Sequence, residues 1–140
     1  MNYKIEFGSW QNLSQYAKGI REQVFIQEQH IPENEEWDDL DFFSVHFIIF
    51  DQDQAIATAR LLPNNSIGRV AVLQSYRGLG IGIKLMQEII LIARKEQRNF
   101  LKLSAQVQAI PFYEKLGFTC EGVGYLDCNI PHIDMMMNLS

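Results

Sequence analysis

A chain of 140 residues, of which 47% are hydrophobic, is long enough for one folded domain with its own core. The formal net charge of −5 argues against a nucleic-acid partner, and no apolar run approaches the roughly 20 residues of a membrane span. The N-terminus lacks the features of a signal peptide, and Cys120 and Cys128 fit neither a disulfide framework nor a metal site. We therefore predict one cytoplasmic domain over residues 1–140, with no metal and no membrane partner.

Negative charge is concentrated in one segment of the chain. Residues 33–41 hold six of the 17 acidic residues, and the remainder of the chain is close to neutral. Such a run is usually a solvated loop, but it can also attract a positively charged substrate. Both interpretations stay open on the sequence alone.

The pattern of apolar residues predicts an alternation of strands and helices. Apolar and polar residues alternate over Tyr3–Phe7, which predicts a first strand. Helical spacing from Leu13 to Val24 predicts a helix that ends near Glu28–Gln29, before Pro32. The remaining predicted elements are strands at about 44–50, 55–62 and 67–73, a helix at 81–97, a strand at 100–105, a helix at 111–116, and strands at 118–125 and 133–139, with Pro131 in the last turn. The order β-α-β-β-β-α-β-α-β-β predicts an α/β domain with a mixed sheet and helices on both faces.

A glycine-rich turn joins the strand that ends near Leu73 to the following helix. Its sequence, Arg77-Gly78-Leu79-Gly80-Ile81-Gly82, lets the backbone approach a ligand closely. The free N–H groups and positive dipole end of the helix favour a phosphate, and Arg77 adds a positive charge. The spacing is neither a dinucleotide-binding fingerprint nor a P-loop. The turn predicts a phosphorylated ligand, and the alternative is a plain strand-to-helix turn.

A second motif, Ala-Ile-Pro-Phe-Tyr-Glu-Lys-Leu-Gly-Phe at residues 109–118, lies about 30 residues after the first. Together the two motifs resemble the GNAT superfamily of acyl-CoA-dependent N-acyltransferases. Three further segments are similar to those of the small bacterial ElaA-like or YjcF-like members: Arg21-x-x-Val24-Phe25-x-x-Glu28-Gln29, Trp37-Asp38 with Asp41, and Tyr125-x-Asp127-x-x-Ile130-Pro131-His132. The resemblance implies a mixed, mostly antiparallel central sheet with helices on both faces.

The resemblance also implies acetyl-CoA (coenzyme A) as co-substrate. Backbone groups of Val70 and Val72 would pair with the pantetheine arm, and an N–H there would polarise the thioester carbonyl. Tyr113 matches a tyrosine near the CoA sulfur, and Gln106 stands where many relatives have Asn. The residues expected to bind the pyrophosphate are Arg77, Gly78, Leu79, Gly80, Ile81, Gly82 and Ile83.

The acceptor side of the site is less well defined by the resemblance. Several relatives carry Glu or His on the strand before the glycine turn, whereas this chain has Asn64, Ser66 and Gly68 there. The base is therefore another residue or a water molecule. The candidate bases are Glu28, Asp41, Asp127 and His132. The candidate catalytic residues are thus Tyr113, His132 and Glu28, and the candidate substrate-binding residues are Trp37, Asp38, Asp41 and Asp127.

These observations predict an acetyl-CoA-dependent N-acetyltransferase that acts on a primary amine by direct attack in a ternary complex. The acceptor would be a small-molecule or peptide amine. The alternative is a non-catalytic acyl-CoA-binding or regulatory domain of the same fold, and the chain is short for a lactone-forming relative. An exposed edge among the last two strands would allow a homodimer.

Overall fold

The structure of the protein is a computed structural model, and it describes residues 2–140. No helix in this range is long and apolar enough to cross a membrane. The strands are β1 (Tyr3–Gly8), β2 (Val45–Asp51), β3 (Gln54–Leu61), β4 (Ser66–Val72), β5 (Phe100–Gln106), β6 (Thr119–Asp127) and β7 (Ile130–Asn138). The α-helices are α1 (Trp10–Arg21), α2 (Glu33–Glu36), α3 (Ile81–Lys95) and α4 (Ile110–Leu116).

The seven strands form one sheet in the order β1-β2-β3-β4-β5-β7-β6. Only β4 and β5 pair in parallel, and all other neighbours in this sheet are antiparallel. The parallel pairing covers just Ser66 with Lys102 and Ile67 with Leu103, although both strands continue for several more residues. β4 and β5 therefore diverge and leave a gap in the middle of the sheet. The predicted mixed, mostly antiparallel fold is confirmed.

The two main helices pack on opposite faces of the sheet. Leu13 and Ala17 of α1 share a buried cluster with Ile48 of β2, whereas the buried side of α3 shares the larger cluster with Phe47 and Ile49. Successive residues of a strand point to opposite faces, so the two clusters lie on opposite sides of β2. The predicted placement of helices on both faces is confirmed.

The region after α1 differs from the sequence prediction. The helix continues as a π-helix over Glu22–Glu28, and the chain then turns at His30, which has a φ of 59°. The acidic segment contains the short helix α2, which begins after Pro32, and a 3₁₀ turn at Asp39–Phe43. It is therefore not the unstructured loop that its composition suggested.

The last hairpin also differs in detail. Its turn is formed by Cys128 and Asn129, which have φ values of 49° and 64°, as a two-residue turn of the I′ type requires. Pro131 is paired with Leu126 inside the hairpin and not in its turn. Pro131 precedes His132, where the ladder with β5 begins, so its missing N–H costs no hydrogen bond to that neighbour.

Candidate active site

A cavity of about 300 Å³ occupies the gap between β4 and β5. Ile67–Val70 line it from β4, and Leu103, Ser104 and Gln106 line it from β5. The other walls come from the π-helix and the turn after it, from α2, from α4 and from the hairpin of β6 and β7. Residues from six separate parts of the chain therefore converge where the sheet opens.

The backbone of β4 is irregular beside this cavity. Arg69 has a φ of 52°, and the pairing with β3 shifts between Thr58 and Arg60, which marks a β-bulge. Farther along, the Leu73 N–H donates to Ile56 O at 2.9 Å. Backbone groups alternate along a strand, so those of Val72 and Val70, one and three residues before Leu73, point towards the gap.

The backbone of Val70 and Val72 was predicted to contact the pantetheine arm. The carbonyl oxygen of Val72 already accepts a hydrogen bond from Arg77 Nε at 3.0 Å. Val70 lies directly after the bulge and lines the cavity. The backbone edge of β4 is thus accessible where the two strands separate.

The glycine turn ends at the first residue of α3. Gly78 and Gly80 have φ values of 79° and 80°, and a Cβ at either position would meet no atom within 4 Å. Gly80 is the N-cap of α3, and no side chain caps this helix. The N–H groups of the first turn, Ile81–Ile83, therefore have no partner within the helix. The turn suits a phosphate group.

Arg77 contributes to the turn differently from the prediction. Its own N–H donates to Gln74 O at 3.3 Å, so it is not free for a ligand. Its guanidinium forms two hydrogen bonds with the Glu28 carboxylate, at 2.6 and 2.8 Å. This pairing holds the pKa of Glu28 below its usual value. Glu28, predicted as a catalytic residue, does not line the cavity.

Tyr113 lies on α4 and lines the cavity. Its ring packs edge-on against Phe112 and Phe118, with centroids 5.0 and 6.0 Å away. Within residues 2–140 its hydroxyl has no hydrogen-bond partner. Burial raises its pKa to about 12, so the phenol keeps its proton at neutral pH and can only donate or accept hydrogen bonds.

His132 lies on β7 and reaches the same cavity, with 9% of its surface exposed. Its Nδ1 lies 2.7 Å from Ile130 O, and since a carbonyl can only accept, Nδ1 carries the proton. In the neutral ring Nε2 is then the basic nitrogen, and it has no partner among the described residues. The ring stacks on Tyr125, with centroids 6.1 Å apart. The hairpin thus presents an imidazole whose Nε2 has no protein partner among the described residues.

The glycine turn, the split sheet and the residues around it are those of a known family. The family model for the acetyltransferase (GNAT) domain matches residues 14–139. The chain belongs to this family. It is 35% identical to the uncharacterized N-acetyltransferase YjcF of Bacillus subtilis over 121 residues, which cover 84% of this chain and 86% of that protein.

Solved structures agree with this assignment. An acyl-CoA N-acyltransferase from Pseudomonas aeruginosa is 29% identical, with a TM-score of 0.88 and coverage of 97% of this chain and 99% of that one. ElaA of Escherichia coli, at 24% identity, has the same fold, with a TM-score of 0.88 over 98% of this chain and 100% of that one. The resemblance predicted from the two motifs is confirmed, and the protein is a GNAT-type acyltransferase.

A buried set of charges lies beside the cavity of this GNAT domain. We call it the arginine network, and it consists of Arg21, Arg60, Arg69, Glu36, Asp38 and Asp41. Arg21, with 1% of its side chain exposed, donates from Nε to Glu36 Oε2 at 2.7 Å and from Nη1 to Asp41 Oδ1 at 2.8 Å. Three positive and three negative groups balance one another in this network.

Three predicted substrate-binding residues lie in or against the arginine network and do not line the cavity. Asp41 is 2% exposed, and its Oδ1 also accepts from Arg60 Nη1 at 2.9 Å. Asp38 accepts two hydrogen bonds from Arg60, at 2.7 and 3.0 Å. Trp37 stacks on the Arg21 guanidinium, 5.0 Å from the ring centroid. The structure therefore gives these three residues a structural position, and of the four predicted substrate-binding residues only Asp127 lines the cavity.

Gln106 lies in the cavity as predicted, but its amide has protein partners. Its Nε2 donates to Gln29 Oε1 at 3.1 Å, and its Oε1 accepts from Gln108 Nε2 at 2.6 Å. This chain of amides connects the end of β5 to the residue after the π-helix. Gln106 therefore helps to position that residue across the cavity.

Sequence reasoning missed Arg69 and Gln29, which both line the cavity. Arg69 Nη2 donates to Glu36 O at 2.9 Å and so fixes α2 against the bulge of β4. The available signal was a charged residue in the middle of an apolar strand, between Gly68 and Val70. Gln29 was noted only as part of a segment that resembles the ElaA-like or YjcF-like members, because a polar residue at a helix end gives no sign of a role by itself.

Proposed function

We propose that this protein is an acetyl-CoA-dependent N-acetyltransferase that transfers an acetyl group to a primary amine by direct attack in a ternary complex. The proposal covers residues 1–140 as one acyltransferase domain. The observation that carries it is that Tyr113 and His132, each with an unpartnered polar atom, line one cavity at the open edge of β4. A hydrogen-bond donor and a proton acceptor around one cavity suit aminolysis of a thioester.

Three features support coenzyme A as the bound group. Gly78 and Gly80, both with positive φ, leave open space for a pyrophosphate. The first-turn N–H groups of α3 have no partner within the helix and can donate to it. The edge of β4 offers the backbone groups of Val70 and the N–H of Val72 to an amide-containing arm, as one strand offers them to another, while the Val72 carbonyl is held by Arg77. Bound acetyl-CoA would supply an activated acyl thioester in the gap between β4 and β5.

His132 is the base in this proposal. An amine is protonated at neutral pH and must lose a proton before it can attack a carbonyl carbon. Nε2 of His132 would accept that proton, while the bond from Nδ1 to Ile130 O keeps the ring in the tautomer that has Nε2 free. A backbone N–H at Val70 or Val72 would donate to the acyl oxygen as negative charge develops there.

Tyr113 stabilises the leaving thiolate in this proposal. With a pKa raised to about 12 by burial, the phenol is a weaker acid than a thiol of ordinary pKa, about 8.5. It therefore donates a hydrogen bond to the thiolate and does not transfer its proton fully. Its packing against Phe112 and Phe118 fixes the direction of that hydrogen bond.

Direct transfer is favoured over an acyl-cysteine intermediate. Cys128 is the cysteine that lines the cavity, and its thiol donates to Glu35 Oε2 at 3.0 Å. This hydrogen bond, with burial, raises the pKa of Cys128 to about 11, so only about one thiol in ten thousand is ionised at pH 7. Since the thiolate is the nucleophile, Cys128 is poorly suited to attack a thioester.

The test combines cofactor binding with turnover. We expect acetyl-CoA and CoA, but not NAD, to raise the Tm by several degrees, because ligands that bind only the folded state stabilise it. Gly80→Asp should remove this shift, since a carboxylate would occupy the phosphate site and a side chain is strained at a φ of 80°. Gly19→Asp, whose Cβ would also meet nothing within 4 Å, is the matched control away from the turn.

Thiol release with a panel of primary amines then separates the two candidate functions. Amine-dependent release of CoA would support the acetyltransferase. A cofactor shift that Gly80→Asp removes, without release for any amine, would favour the non-catalytic acyl-CoA-binding domain. An unchanged shift in Gly80→Asp would contradict the assignment of the glycine turn.

A further inference from the structure

The charges that line the cavity are not all neutralised by the protein. Glu36 and Arg69 line it, but both belong to the arginine network, where Arg69 Nε lies 3.1 Å from Glu36 Oε2. Asp127 lines it as well, and no Lys, Arg or His of residues 2–140 lies within 4.0 Å of its carboxylate. The cavity therefore has one uncompensated negative charge from its own lining.

A second carboxylate without an ion-pair partner lies beside Cys128, which lines the cavity. Glu35 of α2 accepts a hydrogen bond from the Cys128 thiol at 3.0 Å, which joins α2 to the β6–β7 turn across a separation of 93 residues. The Glu35 carboxylate, like that of Asp127, has no ion-pair partner in the described part of the chain. Two carboxylates from two different elements thus flank one neutral thiol.

His132 contributes a second polar feature of the cavity. The residue is nine-tenths buried, and its Nε2 has no partner among the described residues. Nε2 is not among the buried polar atoms that lack a partner, so it stays accessible from the cavity, and a ligand that brings an N–H group can donate to it. The cavity thus offers one acceptor for a reacting amine and, near it, carboxylates for a second donor.

We propose that the acceptor is a small amine that carries a second positively charged group, and that Asp127 with Glu35 binds this second group. The inference rests on the proposed acetyltransferase function and specifies its substrate class. The cavity of about 300 Å³ has room for a small acceptor beside the acyl group. Attraction of a cation to unpaired carboxylates favours this class over uncharged amines.

An acceptor with a carboxylate is the main alternative, and Arg69 would be its partner. The Arg69 guanidinium is already engaged, since Nη2 donates to Glu36 O at 2.9 Å and lies 3.3 Å from Asp38 Oδ2. An incoming carboxylate would have to displace these contacts and would also face Asp127. This alternative is therefore disfavoured, and it becomes one outcome of the test.

The test uses three probes of equal chain length. 1,4-Diaminobutane, 1-aminobutane and 4-aminobutanoate share one reacting amine and differ only in the distal group, which is positive, apolar or negative. We expect the kcat/KM of the diamine to exceed that of 1-aminobutane by about tenfold, the size expected of one charge-assisted hydrogen bond, with 4-aminobutanoate lowest. Calorimetric binding of each probe to the CoA-saturated protein gives a readout that does not require turnover.

Variants locate the effect. Asp127→Asn should lower the kcat/KM of the diamine about tenfold and remove most of its advantage over 1-aminobutane. Glu35→Gln should do so to a smaller extent, because Glu35 does not line the cavity itself. Asp53→Asn, which removes the same charge from the exposed turn between β2 and β3, is the matched control and should leave the ranking unchanged.

The outcomes separate the inference from the function on which it rests. Acetylation of all three probes without preference for the diamine would overturn the inference and leave the acetyltransferase intact. Preference for 4-aminobutanoate would overturn it in favour of Arg69 as the specificity residue. Diamine binding that is lost in Asp127→Asn, with no thiol release for any probe, would keep the cation site and contradict the acetyltransferase. Neither binding nor release for any probe would contradict both.

Discussion

The arginine network and the cavity lie side by side and share Glu36 and Arg69. They differ in whether their polar groups have partners within the protein. In the arginine network all six charged groups form ion pairs, although the buried Nε atoms of Arg60 and Arg69 have no hydrogen-bond partner. In the cavity Asp127 has no ion-pair partner, and the Tyr113 hydroxyl and His132 Nε2 have no hydrogen-bond partner among the described residues. Charges that stabilise the fold are thus ion-paired, whereas the cavity keeps groups that are available to a ligand.

This contrast explains why charge alone is a poor guide to a site. Asp38, Asp41 and Glu35 belong to one acidic segment, but only Glu35 has a carboxylate without a cationic partner. Burying paired charges gives little net stability, yet removing one partner leaves the other buried and unpaired. Substitutions in the arginine network should therefore act on stability, and substitutions in the cavity should act on turnover.

The largest effect is expected from Asp41→Asn. The change removes the negative charge that Arg21 and Arg60 share, at 2.8 and 2.9 Å from Oδ1, and leaves two buried guanidinium groups undercompensated. We expect a loss of about 3 kcal/mol in the free energy of unfolding and a fall of about 10 °C in Tm. Chemical denaturation and thermal melting measure both.

Asp39→Asn is the matched control for this substitution, since Asp39 is exposed and lies in the same 3₁₀ turn. It should change the free energy of unfolding by no more than about 0.5 kcal/mol. Equal, small effects of Asp39→Asn and Asp41→Asn would break the distinction between the arginine network and the exposed acidic surface.

The second effect, on rate, is expected from His132→Asn. The Asn amide can replace the hydrogen bond from Nδ1 to Ile130 O but offers no basic nitrogen. We expect kcat to fall at least about 100-fold, with little change in Tm. Steady-state kinetics across pH, beside thermal melting, measure this split.

His30→Asn serves as the control because His30 is exposed and Asn tolerates its φ of 59°. Its kinetics should match those of the unaltered protein. If His132→Asn kept the full rate, the base would be water or another residue, and the unpaired Nε2 would have no role in turnover.

A smaller loss of rate is expected from Tyr113→Phe. The change removes one hydrogen-bond donor to the leaving thiolate and keeps the aromatic packing with Phe112 and Phe118. We expect kcat to fall by about 10- to 100-fold while the affinity for CoA stays nearly constant. Tyr16→Phe is the control, because Tyr16 lies on α1, packs edge-on against Phe50 and does not line the cavity. Equal activity of Tyr113→Phe at every pH would remove Tyr113 from the mechanism.

The sequence was sufficient to predict the fold, because periodic elements and the glycine turn are local signals. Gly78 and Gly80 have the positive φ values that alternate glycines indicate. The arginine network could not be predicted in the same way, since Arg21 is separated from its partners Glu36 and Asp41 by 15 and 20 residues. Only the folded chain decides which carboxylates these guanidinium groups meet.

One local signal of the arginine network was nevertheless present. Arg21 falls four residues after Ala17, on the face of α1 that carries Leu13 and is buried. A charged residue on a buried helical face requires a partner, so the sequence implied an ion pair without naming its acid. For the candidate site, Tyr113 and His132 came from a resemblance to motifs, whereas the tautomer of His132 and the free Asp127 depend on contacts that only the structure supplies.

The smallest effect is expected from Glu28→Gln, and it tests the exposed counterpart of the arginine network. The Glu28–Arg77 pair has side chains 37% and 40% exposed, and such pairs contribute about 0–1 kcal/mol to the free energy of unfolding. Because Arg77 holds the pKa of Glu28 below its usual 4.5, this contribution is present above the unfolded pKa and is lost as pH falls through the folded value. The difference in Tm between Glu28→Gln and the unaltered protein should thus be small at pH 7 and vanish in acid.

The kinetic consequences of Glu28→Gln follow from the same contact. The freed Arg77 stays at the glycine turn, so the KM for acetyl-CoA should change by less than about threefold, and the pH–rate profile should keep its shape. Glu22→Gln, an exposed change in the same π-helix, is the control for charge. A loss of kcat comparable to that of His132→Asn would instead make Glu28 the base. The ion pair between Glu28 and Arg77 would then have to open during turnover. An ion pair in the structure would therefore not be enough to identify a carboxylate as structural and exclude it as catalytic.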